Sequence, residues 1–330
     1  MRELKVLSFF DGMACGAESL DRARVPISSY HAAEIDKPAM AVAKWNFPHI
    51  NHIGDVCDID PNDYLDTDLM IGGSPCQSFS VAGNKTGLTT NDGQLVDSLG
   101  KYLLLKSMGY GYDKSSLTYF NSSCIFWEFV RVYRAIKAVN PNVKFLLENV
   151  VNTKWEEFIS KEMGVKPIRI NSSEVAPHNR DRYYWTDIMF IPMRKRHDGL
   201  TLDSIIPDAV SGAGSRGVAQ KNWVYSPENP FKYKQKLTVR KDGLANCLTA
   251  SAAATCRKYL SKTGEIKTIN IEQAEQLQTV PAGFTAAPGV SEYQRFKMLG
   301  NGWTIDVIAH FFRCLKYEIE TKEEVLDFKS

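Results

Sequence analysis

Short apolar runs closed by glycines or acids, with helically spaced stretches between them, constrain this chain more than any other feature. The first run is LKVLSFF, residues 4 to 10, and GAESLDRAR after it has helical spacing. YHAAEID reads as a second strand, and PAMAVAKWNF as a helix with proline in its first turn, where the missing N–H is not needed. DLMIGGSP is another apolar run, IFWEFVRVYRAIKAV has an apolar face at helical period, and VKFLLENV follows as a buried strand. A helix near Trp155 to Met163 and strands around PIRINSSE and YYWTDIMFI complete the series. This alternation predicts an α/β fold, a mostly parallel sheet with helices on both faces. In such a sheet ligands sit at the carboxyl ends of the strands.

From about Pro192 the pattern breaks. DAVSGAGSRGVAQ is rich in Gly, Ser and Ala, and the stretch to Lys241 is basic, aromatic and without clear period. It predicts a small, loop-rich domain. NIEQAEQLQ and TIDVIAHFFRCLKYEIE are helical again, and the broad apolar face of the second should pack back on the first domain. The expected organisation is therefore a main domain over 1–190, a small inserted domain over 191–242, and a return to the main domain over 243–330. An extra segment lies at about 94–122 within the first part.

Net charge over the whole chain is only +2, yet Ile191 to Lys262 holds thirteen Lys or Arg against five Asp or Glu. That excess is either a solvated basic face or a surface that neutralises phosphates. The 44% hydrophobic and 24% charged fractions are those of an ordinary globular protein. No run of eighteen apolar residues occurs, and the start, MRELKVLSFFDG, has no signal-peptide pattern, so a cytoplasmic protein away from membranes is expected. The seven cysteines are scattered, with no CxxC pair, so neither a metal site nor a disulfide framework is expected.

The strand ends carry the chemistry. FFDGMACG, after the first run, has the spacing Gly12-x-x-x-Gly16, which allows a close backbone approach but is no pyrophosphate cradle. Glu34 ends the second strand, where an acid can take a ribose hydroxyl pair, and Asp55 follows the third, where a carboxylate can accept an exocyclic amine. Together they suit a ligand with an adenosine but no pyrophosphate. SPCQSFS places Cys76 beyond the fourth strand, and LLENV places Glu148 at the tail of the fifth. A carboxyl there is either a cap or buried ion pair, or a proton holder facing the same crevice as the thiol. The second arrangement suits nucleophilic attack on an electron-poor ring, with the carboxyl answering the charge that develops.

At this point the sequence resembles the C5-cytosine-specific DNA methyltransferases over nearly its whole length, with some features closer to the animal de novo enzymes. Phe10 to Gly16 resembles the motif that holds S-adenosylmethionine, Pro75-Cys76-Gln77 the catalytic motif, and Glu148-Asn149-Val150 the ENV motif. PHNRDR, Pro177 to Arg182, sits where the family has Pro-Gln-x-Arg-x-Arg, GLANCLTAS resembles the segment that organises target recognition, and MLGNGWTIDVIAHFF resembles the final motif. Ala14 stands for the family's middle glycine and His178 for its glutamine.

The resemblance implies a Rossmann-like S-adenosylmethionine-dependent methyltransferase sheet with a small inserted target-recognition domain. It implies that the cofactor is held by Phe10, Asp11, Gly12, Met13, Cys15, Gly16, Glu34, Ile35, Asp55, Val56, Gly73, Pro75, Ile125, Asn301, Gly302 and Trp303. Cys76 would attack C6 of a flipped cytosine as a thiolate, and Glu148 would hydrogen-bond N3. Arg180 and Arg182 would position the base carbonyl and the backbone nearby, with Arg182 the more plausible as a mere strand brace. The implied partner is double-stranded DNA, a cognate restriction endonuclease is compatible, and a monomer is expected over a dimer. The host cell would be bacterial or virus-infected. Two alternatives stand beside this reading. One is transfer to RNA, although the Cys-Phe-Thr tripeptide of the RNA-directed relatives is absent; the other is a non-catalytic regulatory paralogue, although the cysteine and cofactor loop are intact. The extra segment at 94–122 reads as a DNA contact through Lys101, Lys106 and its tyrosines, or as a surface elaboration.

Overall fold

The computed structural model describes residues 1–75, 87–150, 153–193, 201–217, 237–239, 242–250 and 257–327. The chain divides into two compact units. Met1–Ile170, Asp181–Pro192 and Ile308–Ser330 make the first, and Asn171–Arg180 with Met193–Val307 the second. The second unit thus extends past residue 242, where the sequence pattern suggests a boundary.

Seven strands form the main sheet: β1 (Leu4–Phe9), β2 (Ile27–Ala33), β3 (Asn51–Gly54), β4 (Leu69–Gly73), β5 (Lys144–Val150), β6 (Ile168–Asn171) and β7 (Asp181–Thr186). Their order is β3-β2-β1-β4-β5-β7-β6. The pairs among β1 to β5 are parallel, and β7 runs antiparallel to β5. Strands β1, β4 and β5 are buried along almost their whole length, which is why they read as continuous apolar runs rather than alternating ones. The order reverses between β1 and β4, the place where an open sheet of this kind leaves a crevice at its carboxyl edge.

Five helices connect these strands: α1 (Cys15–Ala23), α2 (Lys37–Asn46), α3 (Leu99–Ser107), α4 (Phe126–Val139) and α5 (Thr153–Met163). The apolar face of α4 is buried, with Phe129 meeting Phe9 edge-on at 5.2 Å and Tyr133 meeting Phe145 at 4.8 Å. The extra segment at 94–122 supplies α3, and its aromatics turn inward. Tyr102, Tyr110 and Tyr112 surround the buried Phe120 at 4.8, 5.7 and 5.5 Å. The segment lends Val96, Tyr102, Leu105, Tyr110 and Phe120 to the core, while Leu103, Leu104, Met108 and Leu117 stay exposed.

In the second unit β8 (Ala209–Gly217), β9 (Leu237–Val239), β10 (Lys258–Ser261) and β11 (Ile266–Thr268) make an antiparallel sheet in the order β11-β10-β8-β9. Helices α6 (Ile271–Leu277) and α7 (Glu292–Asn301) each start on a reciprocal capping box, Asn270 with Gln273 and Ser291 with Gln294. Helix α8 (Ile305–Asp327) belongs to the first unit from Ile308 onward, where Phe311 packs on Tyr184 at 5.1 Å.

Candidate active site

The turn after β1 is built from left-handed residues. Phe10, Gly12 and Ala14 hold φ of 54°, 62° and 65°, which coils the chain so that α1 can begin at Cys15. Ala14 bears the steric cost of its left-handed φ, about 1 kcal/mol, which a glycine would not. Gly16 has no such freedom to exchange, because a Cβ there would lie 2.4 Å from Ile71 Cδ1 and 2.6 Å from the Tyr30 hydroxyl. Met13 and Cys15 are buried behind the turn.

Asp11 is buried within this turn. Its Oδ1 accepts from Ser8 Oγ at 2.6 Å and from the Tyr30 hydroxyl at 2.5 Å, while Oδ2 is buried with no partner. Burial pushes the carboxyl up to about 6; Ser8 and Tyr30 pull it down, and the Glu34 charge adds a smaller push upward. Glu34, at the exit of β2, accepts from Gly12 N with Oε2 at 2.8 Å, and from Ile35 N and Asp36 N with Oε1 at 2.8 and 2.7 Å. Its lone pairs are enough to take a hydroxyl as well. Ile35 beside it is 69% exposed, an unusual state for an isoleucine at a strand exit. Asp55 caps the 3-10 turn Val56–Asp58, accepting from Cys57 N with Oδ1 at 2.9 Å, and Val56 is buried.

These parts fit S-adenosylmethionine. The partnerless buried oxygen of Asp11 suits a cationic amine, Glu34 suits a ribose, and Ile35 offers an apolar face to a purine. Ile125 packs partly buried against the same core as Phe10.

Two strands away lies the reactive edge. Gly73 of β4 pairs with Glu148 of β5, so the strand that leads to Pro75 and Cys76 runs directly beside the carboxyl. Asn149 Nδ2 donates to Ser74 Oγ at 2.9 Å and to Ser74 O at 3.2 Å, and Ser123 Oγ donates to Pro75 O at 3.2 Å. These bonds fasten the backbone at Ser74 and Pro75. Cys76 itself lies outside the described residues. Glu148 is buried, and Arg182 Nε sits 2.8 Å from its Oε1. The N–H is not aimed along that line, so the contact is an ion pair and Oε1 accepts no hydrogen bond. Arg182 reaches Glu148 because Val150 and Arg182 are register partners, which puts Arg182 on the diagonal from Glu148 on one face.

Arg180, two residues earlier, belongs to the second unit. It is 2% exposed, and its guanidinium donates to the carbonyls of Gly300 at 3.1 Å, Leu248 at 3.5 Å and Asn301 at 3.5 Å. His178 Nε2 accepts from Leu248 N at 3.0 Å, and Pro177 O accepts from Ala245 N at 2.8 Å. A Cβ on Gly300 would come within 2.3 Å of the Thr249 carbonyl carbon, so glycine is required for that approach. Asn301 is exposed and Trp303 buried, and the Gln278 amide donates to the carbonyls flanking this turn, Leu299 O at 2.5 Å and Gly302 O at 3.3 Å.

Several working residues escape a reading of the sequence. Ser8 and Tyr30 orient Asp11, and Ser74 and Ser123 hold the backbone just before Cys76; only Asn149, within the ENV stretch, carried a signal. Among the described residues no group of His, Cys, Asp and Glu could hold a metal ion, and no helix is long and apolar enough to cross a membrane.

The open, mostly parallel sheet defines the class, a mixed α/β fold shared with solved methyltransferase structures. Among solved structures the S. pombe Dnmt2 methyltransferase superposes with a TM-score of 0.60, covering 96% of this chain and 99% of that one at 13% identity. The Type II methyltransferase M1.ScrFI of Lactococcus lactis subsp. cremoris is 26% identical over 319 residues, 86% of this chain and 70% of that protein. The orphan methyltransferase M.SPRI of Bacillus phage SPR is 38% identical over 97 residues, 29% of this chain and 22% of that protein. The profile of the C-5 cytosine-specific DNA methylases matches residues 4–104. Residues 4–104 thus carry the C-5 cytosine-specific DNA methylase domain, and methylation of DNA cytosine with S-adenosylmethionine as donor is supported at the level of that family.

Proposed function

We propose that this chain methylates C5 of a flipped cytosine in a specific sequence of double-stranded DNA, through a covalent adduct on Cys76. The observation that carries this reading is the pairing of Gly73 with Glu148, which brings the strand feeding Cys76 alongside a buried carboxyl. When bound, S-adenosylmethionine supplies an electrophilic methyl group. Asp11 would hold its ammonium, Glu34 its ribose hydroxyls, and Ile35, Asp55 and Val56 its adenine.

Cys76 adds as the thiolate to C6, the only strongly nucleophilic form of the side chain, and C5 becomes carbanion-like. Glu148, carrying a proton at this step, answers the charge at N3 by donating a hydrogen bond. Once C5 is methylated, its proton passes to a base, in this proposal water, and the thiolate is expelled. Arg182 rather than Arg180 takes the position beside the base, because Arg182 touches Glu148 whereas Arg180 is committed to backbone carbonyls. The basic stretch 191–242 reads the duplex, although most of it lies outside the described residues. We propose a cytoplasmic monomer, with a restriction endonuclease of the same specificity as a compatible partner.

The test is transfer of tritiated methyl from S-adenosylmethionine to duplex DNA and to transfer RNA side by side, followed by nucleoside analysis. Label in 5-methylcytosine of DNA supports the proposal. Label confined to RNA, or in no nucleic acid, overturns it.

A further inference from the structure

Helix α3, inside the extra segment, contributes to a buried polar cluster that no step of the reaction uses. At its centre Glu128 of α4 is fully buried, and both of its oxygens are occupied. Oε1 accepts from the Tyr102 hydroxyl at 2.6 Å and from Lys106 Nζ at 2.6 Å, and Oε2 accepts from Arg131 Nε at 2.7 Å. Tyr112 donates to the Tyr102 hydroxyl at 3.3 Å. The two cations then reach past Glu128 to one short piece of backbone. Lys106 Nζ lies 3.5 Å from the Cys57 carbonyl, and Arg131 Nη2 donates to the Ile59 carbonyl at 2.8 Å. That backbone, Asp55 to Ile59, is the 3-10 turn whose first residues present Asp55 and Val56.

Val56 and Ile59 bury the apolar side of this turn in the core, but its polar support is sparse. It follows an edge strand of four residues, and its internal support is the Asp55 cap and one backbone bond, Asp58 N to Asp55 O at 3.1 Å. A 3-10 turn of three residues has poor hydrogen-bond geometry of its own. Burial fixes the depth of the turn, and charged donors on its carbonyls fix the orientation of its backbone.

We propose that Lys106 is a positioning residue for the cofactor: with Glu128 and Arg131 it fixes the turn that presents Asp55 and Val56 to the adenine. The extra segment then serves the cofactor pocket and not the DNA. The inference rests on the reading of Asp55 and Val56 as adenine contacts, and the test separates the two.

The experiment measures S-adenosylhomocysteine affinity by calorimetry for the wild type, Lys106→Met, Lys106→Arg, Tyr102→Phe and Asp55→Ala, with KM for both substrates and kcat. Lys106→Met should weaken the ligand about tenfold and raise the S-adenosylmethionine KM equally, with kcat at saturation little changed. Lys106→Arg should recover most of the loss, and Tyr102→Phe, which keeps the ring, should show a smaller change in the same direction. The DNA KM and its salt dependence should stay at wild-type values. Wild-type affinity in Lys106→Met, or in Tyr102→Phe should the first variant fail to fold, overturns the proposal provided that Asp55→Ala binds weakly. If Asp55→Ala also binds normally, the adenine-site reading itself has failed. A salt slope smaller by about one in Lys106→Met would put this lysine on a phosphate and also overturn the proposal.

Discussion

Asp11 and Glu128 are both carboxylates buried in the first unit, but the protein uses their oxygens differently. Glu128 has three donors on two oxygens, among them two cations, so its desolvation is offset within the fold. Asp11 has two hydroxyl donors on one oxygen and none on the other, and burial holds its carboxyl up at about 6. A satisfied carboxylate supports the fold; one with an orphaned oxygen keeps bonding capacity to spare. The two arginines of PHNRDR divide in the same way. Arg180 is committed to backbone carbonyls within the second unit, while Arg182 faces the Glu148 carboxyl.

The largest effect expected from this contrast is on stability. Glu128→Gln leaves two cations without their counter-charge and should lower unfolding free energy by about 3 kcal/mol in denaturant titrations. A loss under 1 kcal/mol would make the cluster incidental. The arginines should separate by readout. Arg182→Ala should cut kcat about a hundredfold while melting near the wild-type temperature, whereas Arg180→Ala should cost about 2 kcal/mol of stability by stranding buried carbonyls. Reversed outcomes would exchange their roles.

For Asp11 the direction is opposite to that for Glu128. Asp11→Asn should weaken S-adenosylhomocysteine about thirtyfold, roughly 2 kcal/mol, with no loss of stability at pH 7. The smallest effect is the pH dependence. Because the folded-state carboxyl is raised from 3.8 to about 6, its contribution to stability is present below about pH 4 and is lost as pH rises through 6. Cofactor affinity should rise across the same window, as the carboxylate forms. Both trends should flatten in Asp11→Asn, and an unchanged trend in that variant would assign them to another group.

Much of this was legible in the amino-acid order. Continuous apolar runs identify buried parallel strands, and the acids at their ends fall at strand exits because a strand passes from core to solvent there. The same logic places Glu34 and Asp55 without any coordinates, whereas Glu148 lies buried inside β5, two residues before its end. The extra segment was not legible, since Lys106 meets Cys57 across 49 residues and Glu128 across 22, and local periodicity carries no information about such pairs. Nor could spacing alone tell Arg180 from Arg182, because alternation along a strand says that residues two apart share a face, not that one of them lies outside the sheet's unit.

The most direct measurement uses duplex DNA with 5-fluorocytosine at the target base. Fluorine at C5 cannot leave as the proton does, so once the methyl group has been transferred the sulfur should stay bonded to C6. The account expects a complex that survives denaturing electrophoresis, with the methylated nucleotide on the peptide that contains Cys76. Efficient methylation of ordinary cytosine with no trapped complex, or a complex mapped to another cysteine, would contradict it.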